Sequence, residues 1–364
     1  MNICIVAGAR PNFIKVAPIV RAVENARAHG RDVSYTLVFA GAEDDPTLEP
    51  SLFQDLQIAP PQVYLNVVCE NLNELTGQVM SAFEHYLQEN KTDVVIVVDD
   101  LASTMAAAIV TKKQGIRLAH LVAGTRSFDI NMPKEINRLV IDGLSDLLFT
   151  AGMGASSIAA REGAELSKIY MVGNILLDTL RFNLNRLRKP AFMEAYRERE
   201  YLVFTLNRRA LLAHRDNLCR MIHSMVQHAG GMPIIAPLRG KTAQVVEEIL
   251  AQMPDLQPGA FTLVPSLGYL EFGWLTAHAR GIITDSGNVA EEATFLGVPC
   301  ITLNSYTEHI DTVKIGTNEL VGEDPELLGQ MVEKMVQGQW KTGALPPRWD
   351  GRTAERIVQI LMEG

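Results

Sequence analysis

The strongest constraint on the fold is an alternation that runs through the whole chain. Short runs of Val, Ile and Leu, with little polar alternation, are separated by segments of helical length. The first series of runs is 2–7, 35–40, 93–98, 118–122, 147–150 and 170–172; the second is 201–205, 233–236, 261–264, 281–284 and 300–303. A strand that is apolar on both faces must be covered on both, and strands separated by helices must run parallel. Helices are expected between them, for example over 18–29 and 103–114. Two such series predict an α/β protein with two doubly wound, Rossmann-like parallel sheets. With 364 residues the chain is long enough for two cores. The join is expected at Val172-Gly173-Asn174, where a strand ends in a glycine turn before a helix over 176–187. That places domains at 1–172 and 173–349, with a terminal helix at 350–364 packing back on the first. The proline-rich patches 46–61 and 345–347 are expected to be loops.

Composition narrows the function classes. Apolar residues make up 47% and charged residues 21%, as in ordinary globular proteins. A net charge of −9 argues against a broad nucleic-acid surface. No apolar run approaches the ~20 residues that span a bilayer, so no membrane partner is expected. The first strand starts at Asn2, which leaves no room for a signal peptide and sets the expectation of a cytoplasmic protein. Cys4, Cys69, Cys219 and Cys300 form no C-x-x-C pair, and Cys4 and Cys300 read as buried thiols. His120, His214 and His309 lack metal-ligand spacing, so neither a metal nor a cofactor is expected.

Function is sought at the carboxyl ends of parallel strands, and with two sheets the expected site is a central cleft between the domains. The most informative stretch is 284–299, in which an apolar run stops at Thr284-Asp285-Ser286-Gly287-Asn288 and a helix begins at once. A helix start offers unpaired N–H groups and a positive dipole end to a phosphate, and Glu291 and Glu292 follow as acceptors for ribose hydroxyls. Arg10 and Lys15 flank the first strand-to-helix turn, as cations for a diphosphate or as a solvated basic face. Asp99 and Asp100 follow a buried run; they are either a repelling acid–base pair or a helix cap. Pro133 opens a helix carrying Glu135, Asn137 and Arg138. Asn207 and Arg208 follow a strand of the second series, and Phe272 is either a base-stacking ring or a core residue.

In this order the motifs resemble the UDP-N-acetylglucosamine 2-epimerase family, which has the two-domain GT-B fold. The matches are Arg10 and Lys15, Asp100 with Ser103-Thr104, Ala123-Gly124 with Arg126, Glu135-Ile136-Asn137-Arg138, Val172-Gly173-Asn174, and Thr284-Asp285-Ser286-Gly287 with Glu291-Glu292. They run from Gly8 to Gly322. The resemblance implies a UDP-sugar partner, with Phe272 at the uracil, Ser286 and Gly287 at the phosphates and Glu292 at the ribose. It also implies a cytoplasmic homodimer that serves cell-surface polysaccharide precursor synthesis. The family reaction inverts C2 of the sugar by eliminating and re-adding UDP, which needs placed acids and bases.

Several of those groups are replaced. The family's His-Val-Glu-Ala-Gly reads His120-Leu121-Val122-Ala123-Gly124, and its Pro-Glu-Glu reads Pro133-Lys134-Glu135. Its Thr-x-His-Arg-Arg reads Thr205-Leu206-Asn207-Arg208-Arg209. Asp99 and Asn288 stand where the family has glycines, His309 where it has arginine, and its effector element Thr-Gly-Gln-His reads Ala40-Gly41-Ala42-Glu43. Asp100 is then the catalytic candidate, with Asp99, Glu135 and Asp129 as the nearest replacements. Arg10, Lys15, Arg138, Asn207, Arg208, Phe272, Ser286, Gly287, Asn288, Glu292 and His309 are the substrate-binding candidates. Three functions fit: an epimerase with altered acid–base groups, a glycosyltransferase, and a non-catalytic binder of a sugar nucleotide.

Overall fold

The computed structural model describes residues 1–253 and 255–363, which divide into two compact units. The first runs from Met1 to Phe182 and takes in the C-terminal stretch from Pro347; the second is Asn183–Pro346.

The first unit holds seven parallel strands: β1 (Asn2–Ala7), β2 (Ser34–Phe39), β3 (Val63–Tyr64), β4 (Val94–Val98), β5 (Arg117–Ala123), β6 (Leu147–Thr150) and β7 (Ile169–Met171). Their order is β3-β2-β1-β4-β5-β6-β7, so the winding direction reverses between β1 and β4. Alternate residues of β1 feed opposite cores. Ile3, Ile5 and Ala7 join the cluster with Phe13, Val20 and Ile357, whereas Cys4 and Val6 join the one with Phe83 and Leu118. Each fully buried aliphatic side chain contributes about 1.5–3 kcal/mol, and Val94–Val98 is buried at every residue.

The second unit repeats the plan with β8 (Leu202–Phe204), β9 (Ile234–Pro237), β10 (Phe261–Val264), β11 (Gly281–Thr284), β12 (Cys300–Thr302) and β13 (Asn318–Leu320). Its order is β10-β9-β8-β11-β12-β13, with the reversal between β8 and β11. Both units are therefore doubly wound parallel sheets, as the alternation predicts.

The structure corrects several expectations. The patch 46–61 contains a helix, Pro50–Leu56, which is amphipathic enough to seat Leu52, Phe53 and Leu56 in the core. The first helix is Arg10–Ala28, so Pro18 lies inside it and Arg10 and Lys15 sit on its opening turns. The edge strand β3 is only two residues long, and β13 is three residues and partly polar, which hid both from an apolar-run criterion. In β13 the buried Asn318 is satisfied by Thr302 at 2.7 Å and Thr312 at 3.2 Å. Cys4 and Cys300 are buried free thiols. The helix Ile175–Asn183 begins within the first unit, so the units part at Phe182 and Asn183 and not at residue 172. Ile175 enters the first core and the Thr179 hydroxyl donates to the Ile14 carbonyl at 2.6 Å.

Asp178 on this helix ties in the helix Thr353–Glu363 by accepting from the Ala354 N–H at 2.7 Å. Its Oδ1 is buried without a partner. Burial pushes its pKa from 3.8 up to about 6, with Asp350 adding to the rise, while hydrogen bonds from Ala354 and Thr353 oppose it. A carboxyl whose folded pKa lies above its unfolded value loses stability as it ionises. The loss is absent below about pH 3.8 and complete above about pH 6. Asp178→Asn keeps an acceptor for Ala354 and should stabilise the protein by about 2 kcal/mol at pH 8 and by little at pH 4. Thermal melts at the two pH values test this; an equal change at both would contradict it.

Candidate functional site

In a doubly wound sheet, the loops diverge at the reversal point and leave a crevice at the carboxyl ends of the strands. Both reversals in this chain carry the predicted motifs.

In the first unit, β1 runs into Gly8-Ala9-Arg10 and β4 into Asp99-Asp100. The Asn12 side-chain Oδ1 accepts from the N–H groups of Gly8 at 2.9 Å and Ala9 at 3.2 Å, which closes the helix start. Asp99 bridges the two loops, meeting Lys15 at 2.6 Å and the Asn12 amide at 2.9 Å. It adopts a left-handed φ of 58°, tolerable for aspartate. Arg10 occupies the first helical position with its Nε buried and unpaired.

Asp100 has different partners. Arg138 grips its Oδ2 through Nε at 2.9 Å and Nη2 at 2.6 Å, and the Lys134 ammonium lies 3.6 Å from its Oδ1. Burial would raise the Asp100 pKa, but the charges of Lys134 and Arg138 outweigh it and hold the carboxyl below its ordinary value. The two adjacent aspartates therefore face different cations, Asp99 meeting Lys15 and Asp100 meeting Arg138 and Lys134. Neither caps the helix Ala102–Lys113, whose N-cap is Leu101.

Glu135 is also committed. Its carboxylate accepts from the Ser127 N–H, the Ser127 hydroxyl and the Phe128 N–H, each at 2.9 Å, and meets Arg138 at 3.0 Å. Burial opposes its ionisation, yet the Ser127 and Phe128 donors and Arg138 keep its pKa low. In this geometry Glu135 clasps the loop after β5. Asp129 turns back on its own loop, accepting from the Asn131 N–H at 3.0 Å.

Behind this surface lies a buried network that the sequence did not disclose. His120 meets Asp142 through Nδ1 at 2.5 Å and the Asp99 carbonyl through Nε2 at 2.9 Å. Asp142 also accepts from the Gly124 N–H at 3.0 Å and pairs with Arg126 at 2.7 Å. Arg126 is held in turn by Glu162 at 2.6 Å. Gly124 has a φ of +73°, and a Cβ there would lie 2.2 Å from the Ala155 carbonyl. Partners 16 to 22 residues apart on a strand, a loop and a helix offer no sequence signal; only the packing of the helix Pro133–Leu144 beside β5 brings His120, Gly124 and Arg126 to Asp142. Asp142→Ala would remove the buried acceptor shared by His120, the Gly124 N–H and Arg126 and should cost about 3–5 kcal/mol of stability, measurable by denaturant titration. A loss under 1 kcal/mol would refute this.

In the second unit, Asp285 plays the bridging part that Asp99 plays in the first. Its Oδ2 accepts from the N–H groups of Asn207 at 2.8 Å and Arg208 at 2.5 Å, joining the loops after β8 and β11. Burial raises its pKa despite these donors. Arg208 reaches the Asn304 side chain at 2.8 Å, while Asn207 is exposed. Ser286 is the N-cap of the helix Gly287–Leu296, and no side chain caps it. Its first N–H groups, at Gly287 and Asn288, therefore lack the usual partner. A Cβ on Gly287 would lie 2.4 Å from the His309 ring. His309 is oriented by Glu291 at 2.8 Å. Glu292 is buried, and burial, reinforced by the charge of Glu291, pushes its pKa from 4.5 up to about 7. Tyr269 approaches it at 3.4 Å. Phe272 is half-buried on the helix Tyr269–Ala277.

Among the described residues no group of three His, Cys, Asp or Glu is arranged to hold a metal, and no helix is long and apolar enough to cross a membrane.

Comparison with known proteins identifies the family and the fold. A family model described as UDP-N-acetylglucosamine 2-epimerase matches residues 25–362. The UDP-N-acetylglucosamine 2-epimerase of Methanocaldococcus jannaschii is 33% identical, over 100% of both chains. Its crystal structure in complex with UDP-GlcNAc and UDP matches with a TM-score of 0.86, again over 100% of both chains. The UDP-2,3-diacetamido-2,3-dideoxy-D-glucuronate 2-epimerase of Pseudomonas aeruginosa is 30% identical over 99% of both. The two wound sheets are those of the GT-B-like epimerases.

Proposed function

Because the chain belongs to the UDP-N-acetylglucosamine 2-epimerase family, we propose that it binds a UDP-sugar through its second unit, and that ordinary epimerisation of UDP-GlcNAc is severely curtailed in it. The observation that carries the first part is the uncapped helix start at Ser286-Gly287-Asn288, set at the β8/β11 reversal. Such a start suits a diphosphate, and the buried Glu292 suits a ribose. Phe272 is assigned to the uracil face, with Asn207, Arg208 and His309 around the nucleotide.

The second part rests on the first unit. Asp100, with Asp99 beside it, is the carboxylate left for work at C2, and both are paired with cations. Arg10, Lys15 and Arg138 supply the positive charge of this surface. Val122 and Lys134 stand where the family pattern has acids. Relatives act, by their names, on a neutral sugar and on a carboxylated one, so the family leaves the sugar open. The setting implied is a cytoplasmic homodimer that handles a precursor of cell-surface polysaccharide.

Calorimetry with UDP and UDP-GlcNAc, with and without a chelator, tests the binding. NMR in D₂O at C2 and the anomeric carbon tests the chemistry. Binding that requires Mg²⁺, or no binding at all, would overturn the nucleotide assignment. UDP release that depends on an added acceptor would favour a transferase.

A further inference from the structure

We propose that the β3 edge of the first unit docks a basic peptide segment of a partner protein, with one tyrosine of that segment seated in a cavity there. This is independent of the nucleotide assignment. It begins in the sequence, where no lysine or arginine occurs between Arg31 and Lys91 while ten aspartates and glutamates do. The whole chain carries a net charge of −9, so this stretch holds the surplus and the rest is close to neutral. The stretch builds β2, β3 and the helices Pro50–Leu56 and Leu72–Glu89, with β3 at the edge of the sheet. Its one histidine, His85, lies 3.4 Å from Glu89 in the last turns of the second helix. A field of one sign over a sheet edge costs self-repulsion and draws a polycation.

A cavity of about 500 Å³ opens in this face. Phe39, Val67, Leu75 and Val79 give it apolar walls, and Asp44 and Asp45 also line it. Val68, at its mouth, is 78% exposed. At its inner end lies Ser103, which is 4% exposed and whose hydroxyl has no hydrogen-bond partner among the described residues. The next residue shows the contrast, since the Thr104 hydroxyl donates to the Leu101 carbonyl at 2.8 Å. Gly8 closes against Ser103, and a Cβ there would lie 2.0 Å from its Oγ. Ser103 is the second residue of the helix Ala102–Lys113, whose N-cap Leu101 gives no side-chain cap. The first N–H groups of that helix therefore also call for an acceptor.

The occupant must be apolar along its body, polar at its tip and flanked by positive charge. Tyrosine meets the first two needs, because its ring buries against the walls and its hydroxyl both donates and accepts. Lysine and arginine on either side meet the acids. None of the described residues lining the cavity is Lys, Arg or His, so nothing there would hold a phosphate or another anion. A second copy of the chain meeting this face with its own would be repelled.

The test is fluorescence anisotropy of the full chain with a labelled, end-blocked Lys-Arg-Tyr-Arg-Lys peptide. Binding should saturate at one peptide per chain and weaken as salt is raised. Phenylalanine in place of the tyrosine should weaken it about fivefold, the effect of one hydrogen bond, and alanine at least about tenfold. A Glu-Asp-Tyr-Asp-Glu peptide should not bind. Glu43→Lys with Asp44→Lys should weaken the basic peptide at least about tenfold. Ser103→Ala should bring the tyrosine peptide down to the affinity of the phenylalanine one and leave the latter unchanged. If the tyrosine and alanine peptides bind alike, the acids merely attract polycations and the proposal fails. It fails equally if the basic peptide does not saturate, or if binding survives the Glu43 and Asp44 reversal. The peptide comparisons use the unaltered chain, so they decide the matter even where a variant does not fold.

Discussion

UDP-GlcNAc incubated with this protein in D₂O is expected to take up deuterium at C2 at least ~10³-fold more slowly than the roughly 10 turnovers per second of an ordinary enzyme. The C2 proton is weakly acidic, and its transfer needs a placed base on one face and an acid on the other. On the proposed alignment with the family pattern, three positions that would carry such groups hold Val122, Lys134 and Asn207. Each missing group costs ~10²–10⁴ in rate, and groups that work together do not lose independently. Asp100 cannot compensate, because the cations that hold its pKa low also make it a weak base. Glu135 is occupied by Ser127, Phe128 and Arg138. Restoring the pattern with Val122→Glu, Lys134→Glu and Asn207→His together should raise exchange at C2. Val122 sits at a φ of 71° beside a break in the β5 register, a conformation harder for a β-branched residue than for glutamate. The triple variant should therefore fold. Conversion by the unmodified protein at tens of turnovers per second would show that these positions have been misjudged.

The second large effect concerns Glu292. Removing its carboxylate should weaken UDP binding by about 1.5–3 kcal/mol, the range for hydrogen bonds to a charged group, or roughly 10- to 150-fold. Its pKa is raised by burial and by Glu291 to about 7, so near neutral pH it is only partly ionised. Ribose hydroxyls donate best to the carboxylate, so binding should release a proton. Affinity for UDP-GlcNAc, whose diphosphate diester does not titrate in this range, should rise between pH 6 and 8. In the free protein the sign is opposite: ionisation opposes folding, so this group's contribution to stability falls as pH rises from about 4.5 through 7. Glu292→Gln should remove both pH dependences. A flat affinity profile in the wild type, or unchanged affinity in Glu292→Ala, would sink the assignment.

What the amino-acid order alone determined was the period of the structure. Double-sided apolar runs such as Val94–Val98 have no stable place except inside a parallel sheet, and the glycine and polar residues after them must lie at the strand ends. That local rule located β1, β4, β8 and β11, and with them Arg10, Asp99, Asp100 and Ser286-Gly287. It also marked Glu291 and Glu292, one turn into a helix. What only the tertiary structure decided was which charge meets which. Asp99 and Asp100 are adjacent in the chain, yet one faces Lys15 and Asn12 while the other faces Arg138 and Lys134. Their partners lie on different helices, Arg10–Ala28 and Pro133–Leu144. Glu135 became a loop clasp, and His120 and Asp142 a buried pair, for the same reason. Hydrogen bonds and ion pairs act over a few ångströms, and it is the order of strands in the sheet, not distance along the chain, that brings such groups within that range.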